Sequence, residues 1–169
     1  KQLEDFVEGN LPEIDYEAIT YKPNVATRTA SASVLSVLGE KVKNMIVSSA
    51  DLANSDKSEA FLNKVGALKH HDFSGGFLHA GVAELTMTAI MNGIALHGGM
   101  WAACATFFVF SDYMKPAIRM AALQELPVKY IWTHDAFRVG EDGPTHEPIE
   151  QEAQIRLLED IKNSKGLNS

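Results

Sequence analysis

Cysteine is nearly absent from this sequence: Cys104 stands alone. No intramolecular disulfide can form, and such thiol usage fits a reducing compartment. Positive charge is also scarce, with 15 Lys and Arg against 22 Asp and Glu for a net charge of -7. A surface of that sign repels polyanions, which argues against a nucleic-acid or anionic-membrane partner. A local basic pocket for a phosphate stays open. Long apolar runs are missing as well, because Gly, Asn and His interrupt each of them well short of a bilayer span. The opening residues show no basic-then-apolar leader, so the expected location is cytoplasmic. Familiar signatures are lacking too. The Gly140-Glu141-Asp142-Gly143-Pro144 segment has no Lys-Ser/Thr ending of a phosphate-cradling loop, and no Gly-x-Ser-x-Gly elbow occurs. His70 and His71 are adjacent and cannot easily chelate one ion, so no metal site is expected in this chain.

What is present is enough for one domain: 169 residues, 46% of them hydrophobic. Residues 1–24 are acidic, contain Pro12 and Pro23, and read as an arm or linker. Residues 163–169 read as a polar tail or linker, which leaves 25–162 as the folded domain. The absence of an initiating Met and the tail-like end lead us to expect one module of a longer polypeptide.

Within 25–162 the apolar spacing alternates between two periods. Residues 26–42 are helical in pattern, with Val34, Leu35, Leu38 and Val42 three and four apart. Met45-Ile46-Val47 reads as a buried strand ending in a polar turn through Asp51. Residues 61–68 suggest a short amphipathic piece, and 73–77 a loop or bent strand. Residues 82–97 carry apolar side chains around nearly the whole circumference, which predicts a helix buried on all sides, inside the domain or against a partner. A strand and turn over 103–110, a helix over 115–125 with Pro116 in its first turn, a strand over 128–133, a bent loop over 140–148 and a helix over 150–162 complete the pattern. Strands that are apolar throughout, alternating with helices, predict an α/β fold of three layers, α/β/α, around a mostly parallel sheet. Such sheets take ligands at the carboxyl ends of their strands.

Three groups of residues can carry chemistry. Glu84 opens the apolar helix, where a carboxylate either complements the helix dipole or meets a ligand; its neighbours Val82, Leu85 and Met87 make an unpaired charge costly there. Phe107, Phe110 and Tyr113 are spaced by three and either fill the core or offer flat faces to a planar ring. His134 and His146 share one loop region with Asp135, Glu141 and Asp142, suited to proton exchange and to hydrogen-bonding sugar hydroxyls, or simply to loop hydrogen bonds. Arg28 is an isolated cation at a predicted helix start, able to hold a phosphate or to sit on the surface.

These pieces together resemble the transketolase family of thiamine-diphosphate enzymes. The densest matches are Ser49-Ala50-Asp51-Leu52, Asn92-Gly93-Ile94-Ala95-Leu96-His97-Gly98-Gly99, Phe110-Ser111-Asp112-Tyr113, Thr133-His134-Asp135, and Gly140-Glu141-Asp142-Gly143-Pro144-Thr145-His146. The resemblance implies the central, pyrimidine-binding domain and its thiamine-diphosphate-binding fold. It implies that Glu84 hydrogen-bonds the aminopyrimidine ring and, with His134 and His146, is catalytic. Phe107, Phe110 and Tyr113 would surround that ring, and Asp51 would lie near the cofactor at a subunit boundary. Arg28, Ser55, His134, Asp142 and His146 would hold the sugar phosphate.

The implied activity is transfer of a two-carbon ketol unit from ketose phosphates to aldose phosphates, in a homodimer. The family's diphosphate-binding domain, with Mg²⁺ or Ca²⁺, would grip the rest of the cofactor. Its Gly-Asp-Gly…Asn signature is absent from these 169 residues, so the domain alone is expected to be inactive. Two departures stand out: Ala83 where Arg is common, and Cys104-Ala105 where two glycines are common. The alternatives are an enzyme like 1-deoxyxylulose-5-phosphate synthase, which shares the Asp-Gly-Pro-Thr-His loop, and a non-catalytic interaction module of the same fold.

Overall fold

The computed structural model describes residues 1–135, 139–162 and 166. A first helix, α1 (Gln2–Val7), lies in the stretch expected to be a linker and buries none of its residues. Apart from Gly166, the expected tail over 163–169 lies outside the described residues. The core begins with α2 (Thr27–Lys41), followed by strand β1 (Met45–Ser49). Two short helices, α3 (Ala53–Asp56) and α4 (Glu59–Val65), lead to strand β2 (Phe77–His79). Then come α5 (Glu84–His97), β3 (Trp101–Phe107), a 3-10 turn over Phe108–Phe110 and α6 (Ser111–Leu123). Strand β4 (Lys129–Thr133), a 3-10 turn over Gly143–Thr145 and α7 (Gln151–Leu158) close the sequence of elements.

The four strands form one all-parallel sheet in the order β2-β1-β3-β4. Val47 pairs with Phe77 on one side and Ala103 on the other, and Ala105 pairs with Ile131. Side chains alternate across the sheet and so build two cores. Val47, Phe77 and Ala103 face Leu35 of α2 and Phe61 of α4. Ala102 and Cys104 face Met87 and Met91 of α5 and Met114 and Ile118 of α6. This is the three-layer α/β/α arrangement expected from the strand composition.

Small residues set the layer spacing. Ala102, Ala103, Cys104 and Ala105 are all essentially inaccessible, so β3 lets helices close in from both faces. Gly39 does the same between α2 and α4: a Cβ there would lie 2.9 Å from Cβ of Lys64 and 3.3 Å from the Phe61 ring.

Two local expectations change, and a third is narrowed to burial inside this chain on one face. Helix α6 starts at Ser111 rather than near 115, which places Pro116 in its second turn. Phe77–His79 is a true strand, pinned to β1. Helix α5 is buried on one face only, through Glu84, Met87, Thr88, Met91 and Asn92. Its other face stays open, with Leu85 at 49% and Leu96 at 62% exposure. Buried Asn92 is fully used: its amide donates to the Ala117 carbonyl and its oxygen accepts from the Tyr130 hydroxyl. Among the described residues no helix is long and apolar enough to cross a membrane.

Candidate functional site

The strand order reverses between β1 and β3. The chain leaves β1 for β2 on one side, then crosses back to place β3 and β4 on the other. Loops at the carboxyl ends of β1 and β3 therefore diverge and leave a crevice, the usual ligand position in an open parallel sheet. The candidate residues gather at this edge: Asp51 after β1 and Ser55 in α3 beyond it, Glu84 after β2, the aromatic set from Phe107 at the end of β3 onward, and the two imidazoles after β4. Arg28 reaches the same edge from the first turn of α2.

Glu84 is the first residue of α5 and is 9% exposed. Its carbonyl accepts the Thr88 hydroxyl at 2.7 Å, but no described residue donates to its carboxylate. Thr88 contacts the Cys104 thiol on β3. One turn of helix, about 5.4 Å, carries Glu84 from that level toward the carboxyl edge. A largely buried carboxylate with no donor among the described residues suits a ligand that brings one.

The aromatic wall is built from the end of β3. The Phe107 and Phe110 rings stack with centroids 6.0 Å apart, and Tyr113 lies 6.4 Å beyond Phe110 with 61% of its surface open. Both imidazoles meet this wall. His134 sits 3.6 Å from the Phe107 ring, and His146 approaches Phe110 edge-on at 5.4 Å. Two buried hydroxyls flank the segment, Thr106 Oγ1 and Ser111 Oγ, and neither finds a partner among the described residues.

His134 holds a left-handed backbone, φ 53°, which a residue with a Cβ adopts only when its surroundings enforce it. Arg28 Nη1 donates to its Nε2 at 2.8 Å and to the Ser55 carbonyl at 3.2 Å. A guanidinium is always protonated and only donates, so Nε2 presents its lone pair and the proton sits on Nδ1. That Nδ1–H donates to the Thr133 hydroxyl at 3.0 Å. Burial pushes the His134 pKa down, and the Arg28 charge adds to this against the opposing pull of Asp142. His146 is oriented similarly, with Nδ1 2.7 Å from the Thr145 hydroxyl.

Behind Arg28, the α3 turn is anchored by Asp56, only 1% exposed. Its carboxylate accepts the Ser49 hydroxyl at 2.6 Å, the Ser58 hydroxyl at 2.6 Å and the Ser58 amide at 2.9 Å. Ser55 contributes its carbonyl to Arg28, and no hydrogen bond of its hydroxyl is present among the described residues. Asp51 is exposed and left-handed at φ 62°. A cleft of about 480 Å³ lies where these pieces meet, lined by Arg28, Thr133, His134, Asp135, Glu141 and Asp142. Glu84, Phe107 and Phe110 do not line this cleft, and His134, which does, joins it to the aromatic wall through Phe107. Sequence reasoning quoted Thr133 and Thr145 within motifs but gave neither a role, and it did not single out Asp56. The repeated Thr-His pair, Thr133-His134 and Thr145-His146, was the available signal for the two hydroxyls.

This arrangement belongs to parallel α/β modules that bind ligand where strand order reverses. Residues 23–163 match the family described as transketolase, pyrimidine binding domain, and the chain belongs to that family. It is 48% identical over 160 residues to a transketolase of Halalkalibacterium halodurans, covering 93% of this chain and 24% of that protein. Among solved structures it resembles transketolase from Leishmania mexicana, with TM-score 0.86, 33% identity, and coverage of 92% of this chain and 23% of that one. A transketolase of Pichia stipitis in complex with sedoheptulose 7-phosphate gives TM-score 0.83 and 38% identity, over 92% of this chain and 24% of that one. The chain thus spans about a quarter of the length of the relatives it matches.

Proposed function

We propose that this domain serves a thiamine-diphosphate-dependent transketolase, moving a two-carbon ketol unit from a ketose phosphate to an aldose phosphate. The observation that carries this reading is Glu84: a carboxylate 9% exposed, at the carboxyl edge, with no donor among the described residues. It fits the hydrogen-bonding edge of an aminopyrimidine. Phe107, Phe110 and Tyr113 supply the stacking faces and exclude water from that contact. The bound cofactor would supply the electron sink and nucleophilic carbon for the transfer. Glu84 holds the ring's orientation and shares a proton with it. Asp51 lies on the rim where a second subunit would meet the cofactor.

The substrate side follows from the cleft. Arg28 offers a guanidinium beside the Ser55 turn for the sugar's phosphate. Asp142 accepts from a hydroxyl at the cleft wall. His134 and His146 exchange protons with substrate hydroxyls, each imidazole aimed by its own threonine. The Pichia stipitis relative bound to a seven-carbon ketose phosphate supports this substrate class.

The rest of the cofactor, its diphosphate and a Mg²⁺ or Ca²⁺ ion, falls to a diphosphate-binding domain of the same enzyme. The open face of α5 suits a homodimer, and we place the protein in the cytoplasm without a nucleic-acid or membrane partner. The 1-deoxyxylulose-5-phosphate synthase alternative is not favoured, since the matched relatives are transketolases. The test joins this chain to a diphosphate-binding domain and measures ketol transfer from xylulose 5-phosphate to ribose 5-phosphate. Glu84→Ala should lower kcat by about 10²-fold or more with an unchanged melting temperature. Near-normal turnover in that variant, or a preference for pyruvate as donor, overturns the reading.

A further inference from the structure

Arg28 Nη1 is committed to His134 Nε2 at 2.8 Å, and the acceptor at that contact is the imidazole lone pair. Proton and guanidinium therefore compete for one nitrogen. An anion entering the cleft changes that competition, because it offers Arg28 a better acceptor and His134 a counter-charge. We propose that the Arg28–His134 pair binds a tetrahedral oxyanion with uptake of one proton at His134 Nε2, so that arrival of the substrate's phosphate converts His134 from a neutral acceptor into a donor. This deepens the substrate reading above and rests on it for the identity of the anion.

The geometry supplies the means. The other Arg28 N–H groups make no hydrogen bond among the described residues while Nη1 also holds the Ser55 carbonyl at 3.2 Å, so the guanidinium can turn toward the cleft without losing its anchor. His134 Nδ1 stays bonded to the Thr133 hydroxyl at 3.0 Å in either protonation state, which keeps the ring in place as Nε2 gains its proton. The groups facing the imidazole are Arg28 from α2, Asp56 from α3, Phe107 from β3, and Asp142 and His146 from the loop after β4. The two carboxylates favour the protonated ring; Arg28, His146 and burial oppose it. Neutralising Arg28 with an anion removes one opposing charge and leaves both favourable ones.

The sign follows from linkage. The free site holds His134 neutral near pH 7, its proton affinity being pushed down chiefly by burial and next by Arg28. The occupied site holds it protonated. Between the two pKa values the affinity for the anion rises as pH falls, by up to about tenfold per pH unit for one linked proton.

Sulfate is the probe, because it does not titrate between pH 5 and 8. Calorimetric titration of the chain with sulfate, at constant ionic strength in buffers of differing ionisation heat, reads the protons taken up. Net uptake should approach one proton per sulfate near pH 7, fall to about zero in His134→Asn with sulfate still bound, and binding should vanish in Arg28→Ala. Asparagine tolerates the left-handed backbone at this position, so the variant keeps the loop. NMR of the imidazole ring protons gives a second reading, in which sulfate raises the His134 titration midpoint and leaves that of His97 in place. No uptake in the parent chain, uptake that survives His134→Asn, uptake lost instead in His146→Asn, or no sulfate binding would each overturn the proposal. Intact sulfate coupling in a chain that fails the ketol-transfer assay once joined to a diphosphate-binding domain would overturn the proposed enzyme and leave the coupling standing.

Discussion

Asp56→Ala is the most informative single change outside the ligand-facing residues. The carboxylate is 1% exposed and accepts three hydrogen bonds, from Ser49 Oγ, Ser58 Oγ and Ser58 N. Ser49 and Ser58 are themselves buried, so water does not replace the lost acceptor. The Ser58 amide cannot turn away, and an orphaned buried N–H costs about 1–3 kcal/mol. The two hydroxyls can rotate, but each loses a charge-assisted bond, roughly 1 kcal/mol apiece after rotation. The sum is about 3–5 kcal/mol, a large part of the ~5–15 kcal/mol that holds a domain of this kind together. Asparagine keeps an oxygen for Ser58 and sets its amide against Ser49, so Asp56→Asn should cost about 1–2 kcal/mol. Urea unfolding followed by the fluorescence of Trp101 and Trp132 reads the difference. With a slope near 2 kcal/mol/M, the alanine variant should shift the midpoint by about 1.5–2.5 M, and the asparagine variant by less than 1 M. An alanine shift under ~0.5 M, or equal shifts for both variants, would refute the reasoning that a bonded acceptor, and not mere volume, secures the α3 turn.

Two further outcomes follow from burial. Burial pushes the Cys104 thiol up to about 12, so a thiol reagent at pH 8 should label the native chain only as fast as it unfolds; rapid native labelling would contradict the packing of β3 against α5. The open face of α5 should drive self-association, so Leu85→Lys with Leu96→Lys should shift sedimentation from dimer to monomer with an unchanged circular dichroism spectrum. A parent chain that is monomeric at every concentration removes the basis for that interface.

The strands β1, β3 and β4 were legible because each carries a run of consecutive apolar residues, 45–47 in β1, most of β3 and 130–132 in β4, the mark of a sheet covered on both faces. Strand β2 was not, because three residues behind Gly75 and Gly76 carry no periodicity; the pairing with β1 defines it. Pro116 misled the start of α6, since the preference for the first turn put the boundary four residues late. The all-round apolar character of residues 82–97 predicted burial that one chain provides on one side only.

Within the site, Glu84 stood out by its apolar neighbours, and both imidazoles by their bent loop. The role of Arg28 in the cleft was invisible from local pattern, because its partner His134 lies 106 residues away and is brought near only by the sheet. Asp56 was equally hidden: nothing in Ser55-Asp56-Lys57-Ser58 announces a buried anion until Ser49 arrives from β1.

The backbone at His134 points to a tension between folding and use. With φ at 53°, glycine would relieve the local conformation by about 1 kcal/mol, whereas any gain from imidazole packing on Phe107 must first make up that deficit. A library sorted for thermal endurance alone should therefore drift toward His134→Gly, and the same library, joined to a diphosphate-binding domain and sorted for the proposed ketol transfer, should restore the ring.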